Sequence, residues 1–157
     1  MWSRPGKVRV AGSTARAIPY NGEAAVSVDA AGLYRSSYTG YWATDPTWFT
    51  GKTPTAAAAT NGFAFAGSAL TSHMWVGYFR PDTTGIWTFY ASGIDDSFAV
   101  WIGNNARTSY TWANADGKAD LATVGGSFSF TKKVTANRYY PMRVIYGVIT
   151  PALGKWH

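Results

Sequence analysis

Cysteine is absent from the sequence. That removes disulfide frameworks, thiolate nucleophiles and cysteine-ligated zinc, and leaves the redox compartment open. Imidazole and carboxylate are scarce too: the histidines are His73 and His157, and Glu23 is the one glutamate. A nucleophile and base would have to come from Ser68 or Ser72 beside His73, a run that reads better as a turn entering a strand. Gly125-Gly126 precedes a strand pattern and lacks the helix N-terminus on which a phosphate loop depends. The expected protein is therefore not an enzyme. Charged residues are 14% of the chain, against about 25% in ordinary soluble domains. No apolar run reaches the roughly 18 residues that a membrane-crossing helix requires.

Aromatic residues are abundant instead, at 17%, with 8 Trp, 10 Tyr and 8 Phe in 157 residues. This is enough material for the core of one domain and argues against disorder. Gly, Pro or Ser/Thr clusters interrupt nearly every helical window, while short β-branched and aromatic runs recur between turn signals. The pattern predicts an all-β chain with strands at 7–10, 24–28, 33–38, 62–65, 74–79, 86–91, 98–102, 127–134 and 139–146. Pro81-Asp82-Thr83-Thr84-Gly85 predicts a tight hairpin loop between two aromatic strands. The stretch 44–61, with two prolines, one glycine and four consecutive alanines, is expected to be a loop with at most one helical turn. Trp75, Tyr78, Phe79, Trp87, Phe89, Phe98, Val100, Trp101, Val144 and Ile145 are the expected core. Strand alternation implies that the two faces are not buried equally.

Charge is distributed unevenly. Residues 1–16 carry Arg4, Lys7, Arg9 and Arg16 with no acid, and residues 121–157 carry Lys132, Lys133, Arg138, Arg143 and Lys155 with none. All eight acids lie between these ends. Within the acidic middle, Gly93-Ile94-Asp95-Asp96-Ser97 stands between two strand patterns. Neighbouring side chains of an extended strand point to opposite faces, so the two carboxylates share a target only where the backbone departs from that geometry. A hard cation bound by both would compensate a loop or a cis bond costing about 3–4 kcal/mol. A solvated turn with Asp at its polar positions is the alternative.

Four segments in this order, Trp75-Val76-Gly77-Tyr78-Phe79-Arg80-Pro81, Thr84-Gly85-Ile86-Trp87-Thr88-Phe89, Asp95-Asp96-Ser97 and Trp101-Ile102-Gly103, resemble the protective-antigen-type lectin domain. The likeness is nearest to its GLEYA and yeast flocculin adhesin branch. Tyr139-Tyr140-Pro141-Met142-Arg143-Val144-Ile145-Tyr146 is similar to the strand that such domains place shortly before their second ligand loop. The resemblance covers 33–146 and leaves 1–31 outside as a basic arm or edge strand. It implies an antiparallel β-sandwich over 32–157 in which Asp95 and Asp96 hold Ca²⁺. It further implies that sugar hydroxyls meet the ion beside Asp95, Asp96 and the loop Gly147, Val148 and Ile149. This chain departs from the pattern there. Where the lectins supply an Asn, it reads Gly147-Val148-Ile149-Thr150-Pro151, so carbonyls and water would have to complete the coordination. It also stops at His157, where the family continues into another strand. The resulting sheet edge is expected to need an oligomeric partner.

Met1 followed by no export signal, the lack of cysteine and the low charge turn the expectation toward a particle whose proteins leave a cell by lysis. The reading is a non-enzymatic attachment or assembly module. It would be a bacteriophage virion structural protein at the virion exterior or tail, with a lectin-like sandwich that binds glycans. Arg4, Lys7, Arg9 and Arg16 would contact acidic surfaces of neighbouring chains in a homo- or hetero-oligomer. The alternative is a free-standing Ca²⁺-dependent carbohydrate-binding adhesin domain, extracellular or on a cell surface. A nucleic-acid-binding β-domain, using basic ends and exposed rings, stands behind both.

Overall fold

The computed structural model describes residues 33–60, 69–94, 96–120 and 126–149, together with the backbone of three short segments within 9–28. The predicted strand at 62–65, Asp95, Arg4 and Lys7 lie outside the described residues, while Arg9 and Arg16 fall on backbone segments. The strands are β1 (Arg9–Ala11), β2 (Ala15–Ile18), β3 (Val26–Val28), β4 (Leu33–Thr39), β5 (Ala56–Thr60), β6 (Thr71–Arg80), β7 (Gly85–Ile94), β8 (Ser97–Ile102), β9 (Gly117–Ala119), β10 (Gly126–Val134) and β11 (Tyr140–Val148). A 3-10 turn at Pro46–Phe49 and one helical turn, α1 (Asn104–Arg107), are the helical elements among the described residues.

Every strand pair is antiparallel. The large sheet runs β5-β4-β6-β11-β8-β9, with β1 beside the far half of β6, where Val10 lies opposite Phe79. β7 and β10 form a two-stranded ribbon, and β2 and β3 a separate pair. The ribbon covers one face of the large sheet, so the all-β chain that the periodicity predicts forms the antiparallel sandwich that the resemblance implies. Between them sit Leu33, Trp75, Phe79, Trp87, Phe89, Val100, Ile102 and Val144, each at most 4% exposed. Phe89 stacks on Phe130 at 5.2 Å and meets Phe79 edge-on at 5.2 Å. The Trp87 indole N–H reaches the Thr83 carbonyl at 3.2 Å, locking the aromatic strand to the hairpin loop that precedes it.

Eight of the ten expected core residues are buried, and Tyr78 and Phe98 are partly so. The expectation of unequal faces needs correction for the central strands. From Ser72 to Gly77, β6 is buried at every position, and β8 and β11 are nearly so. The outer face of the large sheet carries a second cluster, in which Met74, Val76, Ala99, Trp101 and Ile145 pack under Tyr38, Trp42, Phe49, Ala106 and Tyr110. The covering side chains come from the end of β4, segment 40–49 and segment 104–115, so irregular chain does here what a helix layer does over a parallel sheet.

Two further corrections follow. The stretch 44–61 holds strand β5, which pairs with β4 although its alanines have low strand propensity; pairing with an existing edge outweighs the local preference. Arg143, counted above among the basic residues of the C-terminal part, is fully buried. Its Nε donates to the Ala106 carbonyl at 3.0 Å, and its guanidinium lies 3.7 Å from the Tyr110 ring centroid. A carbonyl dipole and an aromatic face thus replace part of the lost hydration.

Phe89→Ala should destabilise the domain by about 3–5 kcal/mol, because it opens a cavity between the two sheets. Ile86, on the outer face of the same strand at 71% exposure, should change stability by no more than about 0.5 kcal/mol when cut to Ala. Urea unfolding of both variants checks the assignment of faces, and equal losses would contradict it.

Candidate functional site

One end of the sandwich gathers the start of β6, the end of β11, the start of β8 and the segment after β4. In the register, Ser72, Gly147 and Ser97 lie side by side across the three central strands. Both serines are fully buried. Ser72 donates its hydroxyl to the Gly40 carbonyl at 2.9 Å and accepts the Trp42 amide at 3.1 Å. Ser97 accepts the Trp42 indole N–H at 2.7 Å. The strand between them is glycine because the rings lie directly on it: a Cβ at Gly147 would stand 2.5 Å from Trp42 Cδ1 and 2.8 Å from Tyr41 Cε2.

Asp96 enters this arrangement from the β7–β8 connection. Its φ of 66° is left-handed, a region that Asp tolerates better than most side chains, and it is 6% exposed. Oδ2 accepts the Ile149 amide at 2.7 Å. The Ile149 carbonyl accepts the Leu70 amide at 3.1 Å, and the Leu70 carbonyl accepts the Gly40 amide at 2.6 Å. A continuous series of hydrogen bonds therefore joins Asp96 to Ile149, Leu70, Gly40, Ser72, Trp42 and Ser97. The structure thus brings Asp96 together with Gly147, Val148 and Ile149; Asp95 lies outside the described residues.

Two carboxylates lie within electrostatic reach of Tyr41. Burial lifts the Tyr41 phenol above its ordinary value; the Ser97 hydroxyl opposes the rise, and the charges of Asp96 and Asp120 add to it. Tyr41, Trp42 and Asp120 were not singled out from the sequence. The signal that could have found the first two was Gly40-Tyr41-Trp42, a glycine with φ of 107° before two large rings at a strand end. Oxygen donors of this kind suit a hard cation such as Ca²⁺, which takes about six to eight of them. Among the described residues, no three His, Cys, Asp or Glu come together as a metal cluster. An ion here would therefore lean on Asp95, main-chain carbonyls and water beside Asp96.

The pairing of Ser72 with His73 considered above does not form. The two side chains leave β6 on opposite faces, and the His73 ring bonds instead to the hydroxyls of Ser37, at 2.9 Å, and Thr71, at 3.2 Å. Burial, with a further contribution from the Arg35 charge, lowers this imidazole from 6.5 to about 4.

No curated protein matches the chain significantly. Among protein families, the GLEYA domain matches residues 71–152. The A domain of Epithelial Adhesin 9 from Candida glabrata, solved in complex with Galb1-4GlcNAc, is similar in structure, with TM-score 0.54 and 17% identity over 88% of this chain and 82% of that one. The A domain of Epithelial Adhesin 6 from the same organism, in complex with Galb1-3GlcNAc, gives 0.53 and 15% over 89% and 79%. A β-glucosidase from Kluyveromyces marxianus in complex with glucose gives 0.54 and 12%, over 92% of this chain but 17% of the glucosidase. At these identities the likeness establishes the β-sandwich fold alone.

Two outcomes are expected. Ser97→Ala should cost about 1–3 kcal/mol by leaving the buried Trp42 indole N–H unanswered, and should change the tryptophan emission spectrum; unaltered emission and stability would contradict the clamp. For His73, the folded-state value lies below the unfolded one, so the unfolded chain binds more protons between them. Stability from this group is full above pH 6.5 and falls as pH drops toward about 4. In urea unfolding across that range, His73→Gln should show a shallower decline than the parent, and an identical decline would refute the assignment.

Proposed function

Because the chain belongs to the GLEYA domain family, we propose that it is a non-catalytic carbohydrate-binding module of the adhesin type, working at a cell surface or outside the cell. The observation that carries this reading is the convergence of Asp96 with the 147–149 segment at one end of the sandwich, held by the 2.7 Å bond to Ile149. The same end carries the Tyr41 and Trp42 rings, which lie over Gly147 and offer the apolar surface that sugar sites use. The adhesin relatives were solved with Galb1-4GlcNAc, Galb1-3GlcNAc and lactose, so a galactose-terminated glycan is the ligand class proposed here. The relatives lend the virion and bacteriophage expectation no support. The glucosidase match covers too small a share of that protein for its activity to carry over.

In this reading Asp95 and Asp96 would hold Ca²⁺, with main-chain carbonyls of Gly147, Val148 and Ile149 serving in place of the Asn of the lectins. Bound there, Ca²⁺ would supply open coordination positions for sugar hydroxyls. Tyr41 and Trp42 border the site, and Ser72 and Ser97 keep them in place.

Calorimetric titration with Galb1-4GlcNAc and with lactose, followed by a panel of neutral glycans in excess Ca²⁺, tests the reading. Binding is expected to be saturable, to vanish on chelation, and to weaken by about tenfold or more in Asp96→Asn, since a carboxylate ligand is lost. The Asn side-chain oxygen can still accept the Ile149 amide, so the thermal midpoint should hold. Binding that survives chelation, or no binding anywhere on the panel, would overturn the proposal.

A further inference from the structure

Leu70 stands at the turn into β6, at the same end of the sandwich as Asp96. Its φ of 51° is left-handed, a conformation in which a bulky side chain crowds the neighbouring carbonyl. The other non-glycine residues of this kind among the described residues are Ala43, Thr44, Asp96, Ser109 and Asn137, all of them small or polar. Leu70 is also 54% exposed. Ile86, Tyr90 and Tyr139, the other large apolar side chains open to water among the described residues, lie on the outer face of the ribbon or beside the start of β11. An exposed leucine alone is ordinary, but one held in a strained backbone beside a binding end points to a use. Two hydrogen bonds hold it there. Its amide donates to the Ile149 carbonyl at 3.1 Å, one step past the Thr71–Val148 pair, and its carbonyl accepts the Gly40 amide at 2.6 Å. Because the Ile149 amide is the donor that Asp96 Oδ2 receives at 2.7 Å, one residue lies between Leu70 and that carboxylate. On the other side, Gly40 leads directly into Tyr41.

We propose that Leu70 is a specificity residue of the candidate site, which receives the methyl of an N-acetyl group on the sugar next to the one engaged at Asp96. The proposal rests on the carbohydrate reading above and narrows its ligand. An aliphatic side chain has nothing to give a cation, which takes oxygen donors. What it offers is apolar surface, and the acetamido methyl is the apolar group that distinguishes an N-acetylated hexose from a plain one. The two hydrogen bonds fix the backbone of Leu70, so covering it costs only the rotamer freedom of one side chain. One leucine is far below the roughly 800 Å² that each partner of a stable protein interface buries, whereas a group of methyl size matches it.

Galb1-4GlcNAc and lactose are a matched pair for the test, since an acetamido group in the first replaces a hydroxyl in the second. Calorimetric titration of the full chain with each, in excess Ca²⁺, should give saturable binding that is about fourfold tighter for the N-acetylated sugar, the gain expected from burying one methyl. Leu70→Asn and Leu70→Gly both suit a left-handed backbone. Each should bring the N-acetylated sugar down to the affinity of lactose and leave lactose within about a factor of two. Their thermal midpoints should hold or rise, because the strain is relieved. Equal affinities of the parent for the two sugars, a preference that survives both substitutions, or a parallel loss of both sugars with a lowered midpoint would overturn the proposal and leave the carbohydrate reading standing. Binding of neither sugar by the parent would overturn it together with the galactose-terminated ligand class.

Discussion

Strands β6, β8 and β11 are covered on both faces, and much of the molecule follows from what that double burial demands. An antiparallel sheet ordinarily leaves one face to water and alternates polar with apolar residues. Here both faces carry large side chains, Trp75, Val100 and Val144 toward the ribbon and Met74, Trp101 and Ile145 toward the loops. The second face needs a cover, and the segments 40–49 and 104–115 provide it with Trp42, Phe49, Ala106 and Tyr110. Rings are suited to this task because each covers a large area at the cost of few rotatable bonds. The low charge and high aromatic content thus have a cause inside the chain. Arg143 shows the limit: a cation is admitted between the layers where a carbonyl and an aromatic face receive it.

The same cover builds the candidate site. Trp42 is a lid on the outer cluster and also the residue that Ser72 and Ser97 fasten across β11. Gly147 accommodates the rings that lie over it. From there, hydrogen bonds run through Gly40 and Leu70 to Ile149 and the Asp96 carboxylate. A binding surface made of loops gains precision when the loops are bonded to the rigid sheet beneath. Burial of the outer face and positioning of Asp96 are therefore served by one set of contacts.

The charged groups at the two ends of the sandwich have different surroundings. At one end burial raises the Tyr41 phenol, and the charges of Asp96 and Asp120 add to the rise, while at the other Lys132 pairs with Asp116.

By itself the sequence determined the class of fold, because alternation, turn chemistry and aromatic runs are local properties. The hairpin at Pro81–Gly85, the strands that became β4, β6, β7, β8, β10 and β11, and most of the core were legible on that basis, as was the adjacency of Asp95 and Asp96. The tertiary structure alone decided what depends on partners remote in the chain. The alanines of β5 become a strand because β4 offers an edge, β9 forms by pairing with β8, and Arg143 is interior because segment 104–115 folds over it. The Trp42 clamp joins residues 55 positions apart, and the Asp96 bond to Ile149 spans 53. Neither leaves a local pattern, since a serine or glycine within a strand reads the same whether it faces water or receives an indole. Periodicity records which side of a strand is apolar, but what covers that side is settled only when distant segments meet.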